Sequence, residues 1–354
     1  MNLEQEINKR FLLQEEFLGT EKPVNKIQPL VTVRTITYQH TGFIEECIKG
    51  VLMQRTNFLF EFIIGEDGST DGTREICEKY AKDYPDKIRL FVRDRTLSQL
   101  YNEEGKLIKR LNGRFSAMSS RGQYIALCEG DDYWTDPLKL QKQVDVLEAN
   151  PDYSFCVGGF ERLYQDTLEK VSRTKKIKEN DPGKSGYSFN LDEMQSFWIT
   201  QTLTIMFRNN IYDTVNFSVY NYSRDTHLFY HLLKIGKGFY ITEHLGVHRI
   251  HPGGVHSMIG REDQLFNAIR IYKELYMNNK DEFTRLKYLK NIAAQINYNL
   301  YNKEFKKFIK ANLNLFKEAL SLIRNPKELR FILMIFTPAA LLEKVRSKRN
   351  KIDN

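Results

Sequence analysis

Cysteine, tryptophan and long apolar runs are scarce in this sequence, and each shortage excludes a class of protein. Four cysteines and two tryptophans occur among 354 residues, and no two cysteines form a Cys-x-x-C pair. A disulfide-stapled secreted domain is therefore excluded, and we expect buried free thiols in a reducing compartment. No stretch reaches the roughly 18 apolar residues that a membrane-spanning helix requires. The first residues are too charged for a signal peptide, so we expect a cytoplasmic location.

The positive charge of the chain is concentrated towards its C-terminus. The formal net charge is +8, and residues 281–354 hold 16 Lys and Arg against 7 Asp and Glu. Such a tail is typical of a solvated helical face or of a protein that meets an anionic partner. The apolar residues 331–336 are too few to span a membrane and are bordered by cations. This pattern favours peripheral association with an anionic membrane surface, and we expect no nucleic acid partner.

Strand and helix patterns alternate through the first half of the chain. Apolar or β-branched runs predict strands at Val31–Tyr38, Phe60–Ile64, Ile88–Val92 and Tyr124–Cys128. Helical apolar spacing between these runs predicts an α/β fold, with a mostly parallel sheet covered by helices on both faces. We expect three regions: an N-terminal helix and connector over 1–27, a sheet domain over 28–260 with halves at about 28–135 and 136–260, and a basic helical region over 261–354.

Acidic segments directly follow two of the predicted strands. Glu66–Thr73 comes after Phe60–Ile64, at the strand end where α/β sheets bind ligands, although a plain strand–turn–helix corner has similar residues. Glu129, Asp131 and Asp132 follow the predicted strand Tyr124–Cys128, and their like charges repel one another. A divalent cation relieves that repulsion, and hard cations prefer oxygen ligands. The second segment therefore predicts a divalent metal site.

A third motif lies in the second half of the chain. Arg224 and Asp225 precede a stretch with helical apolar spacing, and six of the seven histidines lie between His227 and His256. This clustering indicates that one or two histidines face an active site, as metal ligands or proton carriers. Structural hydrogen bonds explain each single histidine equally well.

Together, these motifs resemble the inverting glycosyltransferases of family 2, which have the GT-A fold. The resemblance runs from about Pro29 to about Ser257 and extends to bacterial surface-polysaccharide enzymes. Five features carry it in order: Val31–Tyr38 with its final Thr-Tyr pair, Gln54, the nucleotide-binding segment Glu66–Thr73, the Asp-x-Asp segment Gly122–Asp132, and the acidic motif Arg224-Asp225. The sequence departs from the common pattern at Glu66 and Glu129, which stand in place of Asp.

The resemblance implies transfer of a sugar from a nucleoside diphosphate sugar to a hydroxyl of a glycan or lipid-linked acceptor. It implies donor contacts by Thr37, Tyr38, Glu66, Asp67, Glu129 and Asp131. Mn²⁺ or Mg²⁺ would be held by Asp131, with His251 and His256 as further candidates. Asp225 would be the general base, and Trp198 and Gln201 would lie on the acceptor side.

Two other functions remain open at this stage. A sugar nucleotidyltransferase shares a similar sheet and acidic metal site, but it needs a Gly-rich basic loop after the first strand. This sequence has Gln39-His40-Thr41-Gly42 there, which is a poor phosphate cradle. A non-catalytic membrane or nucleic-acid adaptor would use the basic tail, but the acidic motifs and the nearly neutral first 280 residues argue against it.

Overall fold

A computed structural model of the chain describes residues 3–105, 107–172, 185–195, 200–254, 259–302 and 305–329. The chain divides into two compact units, Met1–Ser257 and Met258–Asn354, which we call the sheet unit and the helical unit. We describe each unit by itself.

The strands of the sheet unit carry the site. They are β1 (Val31–Thr37), β2 (Phe60–Glu66), β3 (Ile88–Val92), β4 (Gln99–Tyr101), β5 (Leu107–Arg110), β6 (Tyr124–Leu127), β7 (Tyr133–Trp134), β8 (Tyr153–Tyr164), β9 (Lys170–Ser172), β10 (Gly186–Phe189), β11 (Met206–Arg208) and β12 (Lys237–Ile250). Among the described residues, ten of them form one sheet in the order β10-β12-β8-β11-β6-β1-β2-β3, with β7 beside β12 and β9 beside β8. β4 and β5 pair separately.

The first half of the sheet is parallel and the second half is mixed. β1 runs parallel to both β2 and β6, and β2 runs parallel to β3. β11 is antiparallel to β6 and β8, and β8 and β12 are parallel. Every residue of β2 is buried, as expected for a parallel strand that is covered on both faces. The predicted α/β fold is confirmed, and the carboxyl ends of β2, β1 and β6 lie side by side.

The helices of the sheet unit cover this sheet. They are α1 (Leu3–Phe11), α2 (Ile44–Leu52), α3 (Thr73–Asp83), α4 (Arg95–Ser98), α5 (Asn112–Met118), α6 (Lys139–Ala149), α7 (Ile211–Thr214) and α8 (Asp225–Ile235). In α2 the apolar positions recur at Ile44, Cys47, Ile48 and Val51, and all four side chains are buried in the main core. The four cysteines are free and buried, as the sequence predicted.

The helical unit contains α9 (Arg261–Asn279), α10 (Glu282–Asn302) and α11 (Phe305–Leu322). Its most buried charge is Arg285, whose guanidinium pairs with Glu282 and Glu328. No helix in the part of the chain that the structure describes is long and apolar enough to cross a membrane. The predicted interfacial segment 331–336 lies outside the described residues.

Candidate active site

The loops after β2 and β6 are both fixed to the end of β1. The backbone N–H of Asp67 donates to the Thr37 carbonyl at 3.0 Å, and that of Gly130 donates to the Ile36 carbonyl at 3.1 Å. Thr37 also lies opposite Glu66 in the β1–β2 register. Two acidic segments that are distant in sequence therefore meet at the end of one central strand, where open α/β sheets bind ligands.

The loop after β1 is tied to the loop after β2 before any ligand binds. The backbone N–H of Thr41 donates to Asp71 at 3.0 Å, and that of His40 donates to the Thr73 hydroxyl at 2.8 Å. Gln39 takes a positive φ of 55° to make this turn, and its side-chain oxygen accepts from the Thr70 backbone at 2.8 Å. Because both loops share these hydrogen bonds, they form one rigid rim of the site.

Glu66 is buried and both of its carboxylate oxygens are engaged within this rim. One oxygen accepts from the Ser69 backbone N–H at 2.6 Å, and the other pairs with Arg74 at 3.1 Å. These contacts hold the turn that follows β2. The donor contact expected of Glu66 stays a prediction.

Asp67 and Tyr38 lie next to an arginine that the sequence analysis did not single out. The Arg95 guanidinium lies over the Tyr38 ring, 3.5 Å from its centroid, and its Nε is 3.8 Å from an Asp67 oxygen. The other Asp67 oxygen is buried, and no donor among the described residues reaches it with hydrogen-bond geometry. Burial raises the pKa of Asp67, although the Ser98 hydroxyl, which lies close without the geometry of a full hydrogen bond, and the Arg95 charge oppose the rise. A polar ligand group at this oxygen would therefore satisfy an otherwise costly buried acceptor.

The turn after β6 brings three carboxylates together, and we call residues 129–132 the acid turn. Burial raises the pKa of Glu129 to about 7, and the charges of Asp131 and Asp225 add to the rise. One Glu129 oxygen is buried without a hydrogen-bond partner among the described residues. Asp132 is also buried, and burial raises its pKa well above the ordinary value. A bound cation would relieve this crowding of negative charge.

His251 supplies a nitrogen at the acid turn. Its Nε2 lies 3.2 Å from Oδ2 of Asp131, and its ring packs on Phe43 with 4.6 Å between centroids. This contact is a hydrogen bond, and its carboxylate and imidazole are also side chains that can bind a divalent cation. No cluster of three or more metal-binding side chains occurs in the described ranges. His256 lies outside those ranges.

His40 is a second histidine at the site, and the sequence analysis missed it. Its Nδ1 lies 3.2 Å from the Thr37 hydroxyl, and its ring centroid is 6.3 Å from that of His251. Burial lowers the pKa of His40, although the Asp131 charge opposes this. A Cβ on Gly130 would lie 2.7 Å from Thr37 and 2.9 Å from His40, which explains a glycine inside the acid turn. His40 lies outside the histidine cluster of the sequence, so spacing gave no signal for it.

Several histidines of that cluster pack away from the acid turn. His227 is fully buried, its Nδ1 accepts from the Arg224 backbone at 3.1 Å, and burial lowers its pKa to about 3. His231 bonds the Tyr220 hydroxyl at 2.7 Å, and His244 bonds Ser172 at 2.8 Å. Clustering along the chain therefore did not mean clustering at the site.

Asp225 and Gln201 lie in the second half of the sheet unit. Asp225 is the first residue of α8, and its carboxylate accepts from the Thr226 backbone at 2.7 Å. Its charge adds to the rise in the pKa of Glu129, which burial mainly causes. Gln201 precedes a short 3-10 turn whose Leu203 carbonyl accepts from the Trp134 indole at 2.8 Å. Trp198 lies outside the described residues.

Comparison with known protein families identifies the family of this chain. The family model described as glycosyl transferase family 2 matches residues 32–215, which is more than half of the chain. The chain belongs to glycosyl transferase family 2. The enzyme class predicted from the sequence is thereby confirmed at the level of the family, against the nucleotidyltransferase and adaptor alternatives for the sheet unit.

The alignments between this family 2 chain and individual relatives cover only part of each relative. An uncharacterized protein of Mycobacterium tuberculosis is 38% identical over 136 residues, which is 38% of this chain and 36% of the relative. The putative teichuronic acid biosynthesis glycosyltransferase TuaG of Bacillus subtilis is 34% identical over 142 residues, 39% of this chain and 50% of the relative. The chain thus spans between about a third and a half of these curated relatives.

Solved structures confirm the fold. The crystal structure of S. aureus TarS 1-349 in complex with UDP-GlcNAc aligns with a TM-score of 0.56 at 12% identity, covering 83% of this chain and 81% of that one. A second TarS 1-349 structure, in complex with UDP, aligns with a TM-score of 0.53 at 13% identity and covers 83% and 80%. At such low identity the likeness shows the GT-A fold alone.

Proposed function

We propose that this family 2 chain is a divalent-metal-dependent, inverting glycosyltransferase. It would move a sugar from a nucleoside diphosphate sugar to a hydroxyl of a glycan or lipid-linked acceptor. The observation that carries the proposal is the Asp131–His251 pair, 3.2 Å apart, at the point where three parallel strands end. A carboxylate and an imidazole at that distance, beside further buried acids, suit a cation that bridges a diphosphate.

The nucleotide would bind along the rim between β1 and β2. The Tyr38 ring offers a face for the base, and the unpartnered Asp67 oxygen offers an acceptor for a base N–H. Thr37 would line the floor, and Glu129, with its own unpartnered oxygen, would reach the ribose. Glu66 would act through the loop that it holds. Arg95 now covers Tyr38, so a stacked base would have to share or displace it.

The diphosphate would lie over the acid turn. Asp131 and His251 would hold Mn²⁺ or Mg²⁺, with His256 as a further ligand. When bound, the cation stabilises negative charge on the departing nucleoside diphosphate. The glycine at 130 leaves the turn close to Thr37 and His40, which keeps the Asp131 carboxylate at the end of β1.

Asp225 would be the general base. It would take the proton from an acceptor hydroxyl while that oxygen bonds to C1 of the sugar and the C1–phosphate oxygen bond breaks. A single displacement of this kind inverts the anomeric centre. Its position at the first turn of α8 supports the role, because a helix of 11 residues holds the carboxylate rigidly. Gln201 and Trp198 would contact the acceptor.

The comparisons support a role in surface polysaccharide synthesis. One relative is named for teichuronic acid biosynthesis, and the TarS structure contains UDP-GlcNAc. We therefore place a uridine diphosphate sugar first among donors and a cell-surface glycan or its lipid-linked precursor first among acceptors. We propose a cytoplasmic enzyme whose basic tail rests on an anionic membrane face.

A donor screen by nucleotide release tests the proposed function. The full chain is incubated with several uridine and guanosine diphosphate sugars, with Mn²⁺ or with EDTA, and freed nucleoside diphosphate is measured. We expect release from at least one donor with Mn²⁺ and none with EDTA. Equal release in EDTA would contradict the metal requirement, and no release from any donor would contradict the donor class.

A further inference from the structure

Arg249 is a buried arginine at the acid turn, and neither the family resemblance nor the proposed chemistry uses it. It is the penultimate residue of β12, and its side chain is 1% exposed. Its guanidinium lies between two aromatic rings, 4.5 Å from the Tyr133 centroid and 5.2 Å from that of Phe43. Burying a cation this fully is costly unless its contacts are specific.

The contacts of Arg249 converge on the acid turn. Its Nη1 donates to the Asp131 carbonyl at 2.6 Å, and its backbone N–H donates to Oδ1 of Asp132 at 2.9 Å. Its Nη2 pairs with Glu46 on α2. One residue thus fixes two consecutive residues of the turn, while His251, two positions along the chain, meets the Asp131 carboxylate.

These contacts determine where the Asp131 carboxylate points. With its carbonyl held by Arg249, and with Asp132 held by the backbone of the same residue, Asp131 cannot rotate its peptide without breaking buried hydrogen bonds. Its carboxylate is left partly exposed, at 24%, and directed towards His251. A ligand held in place before the cation arrives loses less conformational entropy on binding.

We propose that Arg249 is a positioning residue, which holds the acid turn in the conformation that accepts the divalent cation. The inference rests on the proposed function, because it takes Asp131 to be a metal ligand. It extends that function by assigning the preformed geometry of the site to a residue that touches neither metal nor substrate.

The direction in which metal affinity changes when Arg249 is replaced distinguishes a positioning role from a purely electrostatic one. A buried guanidinium repels a nearby divalent cation, so its removal should tighten metal binding if charge alone mattered. If Arg249 positions the turn, its removal should weaken metal binding although a positive charge is lost. Arg249→Met keeps much of the apolar stem and removes both the charge and the hydrogen bonds. Arg249→Lys keeps the charge but cannot make the forked contacts.

Two further variants serve as controls. Glu46→Gln removes only the partner on α2, which is 60% exposed, and should change metal affinity by less than about threefold. Arg285→Met removes an arginine of the helical unit that is also 1% exposed and also pairs with carboxylates. Arg285→Met resembles Arg249→Met in removing a buried guanidinium, and we expect a similar loss of stability. Because Arg285 belongs to the helical unit and not to the acid turn, this variant should leave metal affinity unchanged.

The experiment is a calorimetric titration of Mn²⁺ into the full-length parent and each variant, with UDP and, in parallel, with GDP. Circular dichroism checks the fold of each protein. We expect Arg249→Met to weaken Mn²⁺ binding at least tenfold and Arg249→Lys to fall between it and the parent. The Mn²⁺ concentration for half-maximal nucleotide release should rise in step, with a smaller change in kcat at saturating metal.

If Arg249→Met binds Mn²⁺ as tightly as the parent, or more tightly, the positioning role is wrong and the proposed function still stands. A parent that binds no Mn²⁺ with either nucleotide overturns the proposed metal site and this inference with it. Should Arg249→Met fail to fold, Arg249→Lys decides: parent-like affinity rejects the positioning role, and weakened affinity supports it.

Discussion

Glu61, near the start of the parallel strands, and two carboxylates beyond the opposite ends of the strands differ in how fully their oxygens are hydrogen-bonded. Near the start of β2, Glu61 is fully buried and accepts from the Thr32 hydroxyl at 2.7 Å and from Arg121 at 2.6 and 2.9 Å, and it also pairs with Arg89 at 3.2 Å. Beyond the opposite ends of the strands, Asp67 and Glu129 each keep a buried oxygen without a hydrogen-bond partner among the described residues.

A buried carboxylate with a full set of donors stabilises the fold, whereas one with an empty acceptor is costly until a ligand fills it. Glu61 is of the first kind. Asp67 and Glu129 are of the second kind, and in the proposed function a bound nucleotide sugar fills these acceptors.

The strongest way to test the comparison is to remove the candidate metal ligand. Asp131→Ala should lower nucleotide release by roughly 10³-fold or more, because metal stabilisation of the leaving group provides several kcal/mol. Its free energy of unfolding should stay the same or rise, since one of several crowded like charges is lost. Release assays and urea unfolding measure the two effects. Full turnover by Asp131→Ala in excess EDTA would contradict the assignment.

The next effect concerns the candidate base. Asp225→Asn keeps the shape of the side chain but is a far weaker base, so kcat should fall by roughly 10²- to 10⁴-fold. Binding of the donor nucleotide should remain within about threefold of the parent, because Asp225 lies in the half that we propose for the acceptor. A kcat within a few-fold of the parent, with an acceptor present, would remove Asp225 from this role.

A substitution of Glu61, near the start of β2, should lower the stability of the protein and leave its catalytic rate unchanged. Glu61→Ala removes the carboxylate partner of Arg121 and leaves Arg89 with Glu16 alone, so the free energy of unfolding should fall by about 3 kcal/mol. The matched variant at the other end, Asp67→Asn, should cost little stability but weaken nucleotide binding about tenfold, by the loss of a charged acceptor. Urea unfolding and nucleotide titration of both variants form the test. Equal stability losses would show that the comparison does not hold.

The sequence predicted those parts of the site that depend on short, continuous segments. Thr37 lies within the first predicted strand, and Asp67 and Asp131 each lie three residues after the end of a predicted strand. The ends of the strands and the α/β fold could therefore be predicted from the local pattern. The close approach of Gly130 to Thr37 and His40, by contrast, could be found only from the structure.

The remainder of the site depends on contacts between distant segments. Arg249 meets Asp131 across 118 positions and Glu46 across 203. No local pattern distinguishes Arg249 from other arginines near the end of a strand. The histidines show the opposite problem, because residues that are close in the sequence do not all lie at the site. Histidines on α8 and at the end of β12 have different neighbours in the fold. His227 is buried in the core, whereas His251 reaches the acid turn.

The last expected effect, about 1 kcal/mol for each cation, concerns the basic tail. Each cation near an anionic membrane surface contributes about 1 kcal/mol, which is about fivefold in membrane partitioning. A chain that stops after Leu329 keeps Glu328, the partner of Arg285, so the helical unit should stay folded while the apolar and basic tail is removed. In liposome co-sedimentation the full chain should need anionic lipid and lose binding as salt rises, whereas the shortened chain should stay in the supernatant. Replacing Lys344 and Lys348 with Gln should weaken binding by roughly 25-fold if both ammonium groups approach the surface. If the shortened chain sediments as well as the full chain, the tail does not anchor the protein, and its cations form a solvated face.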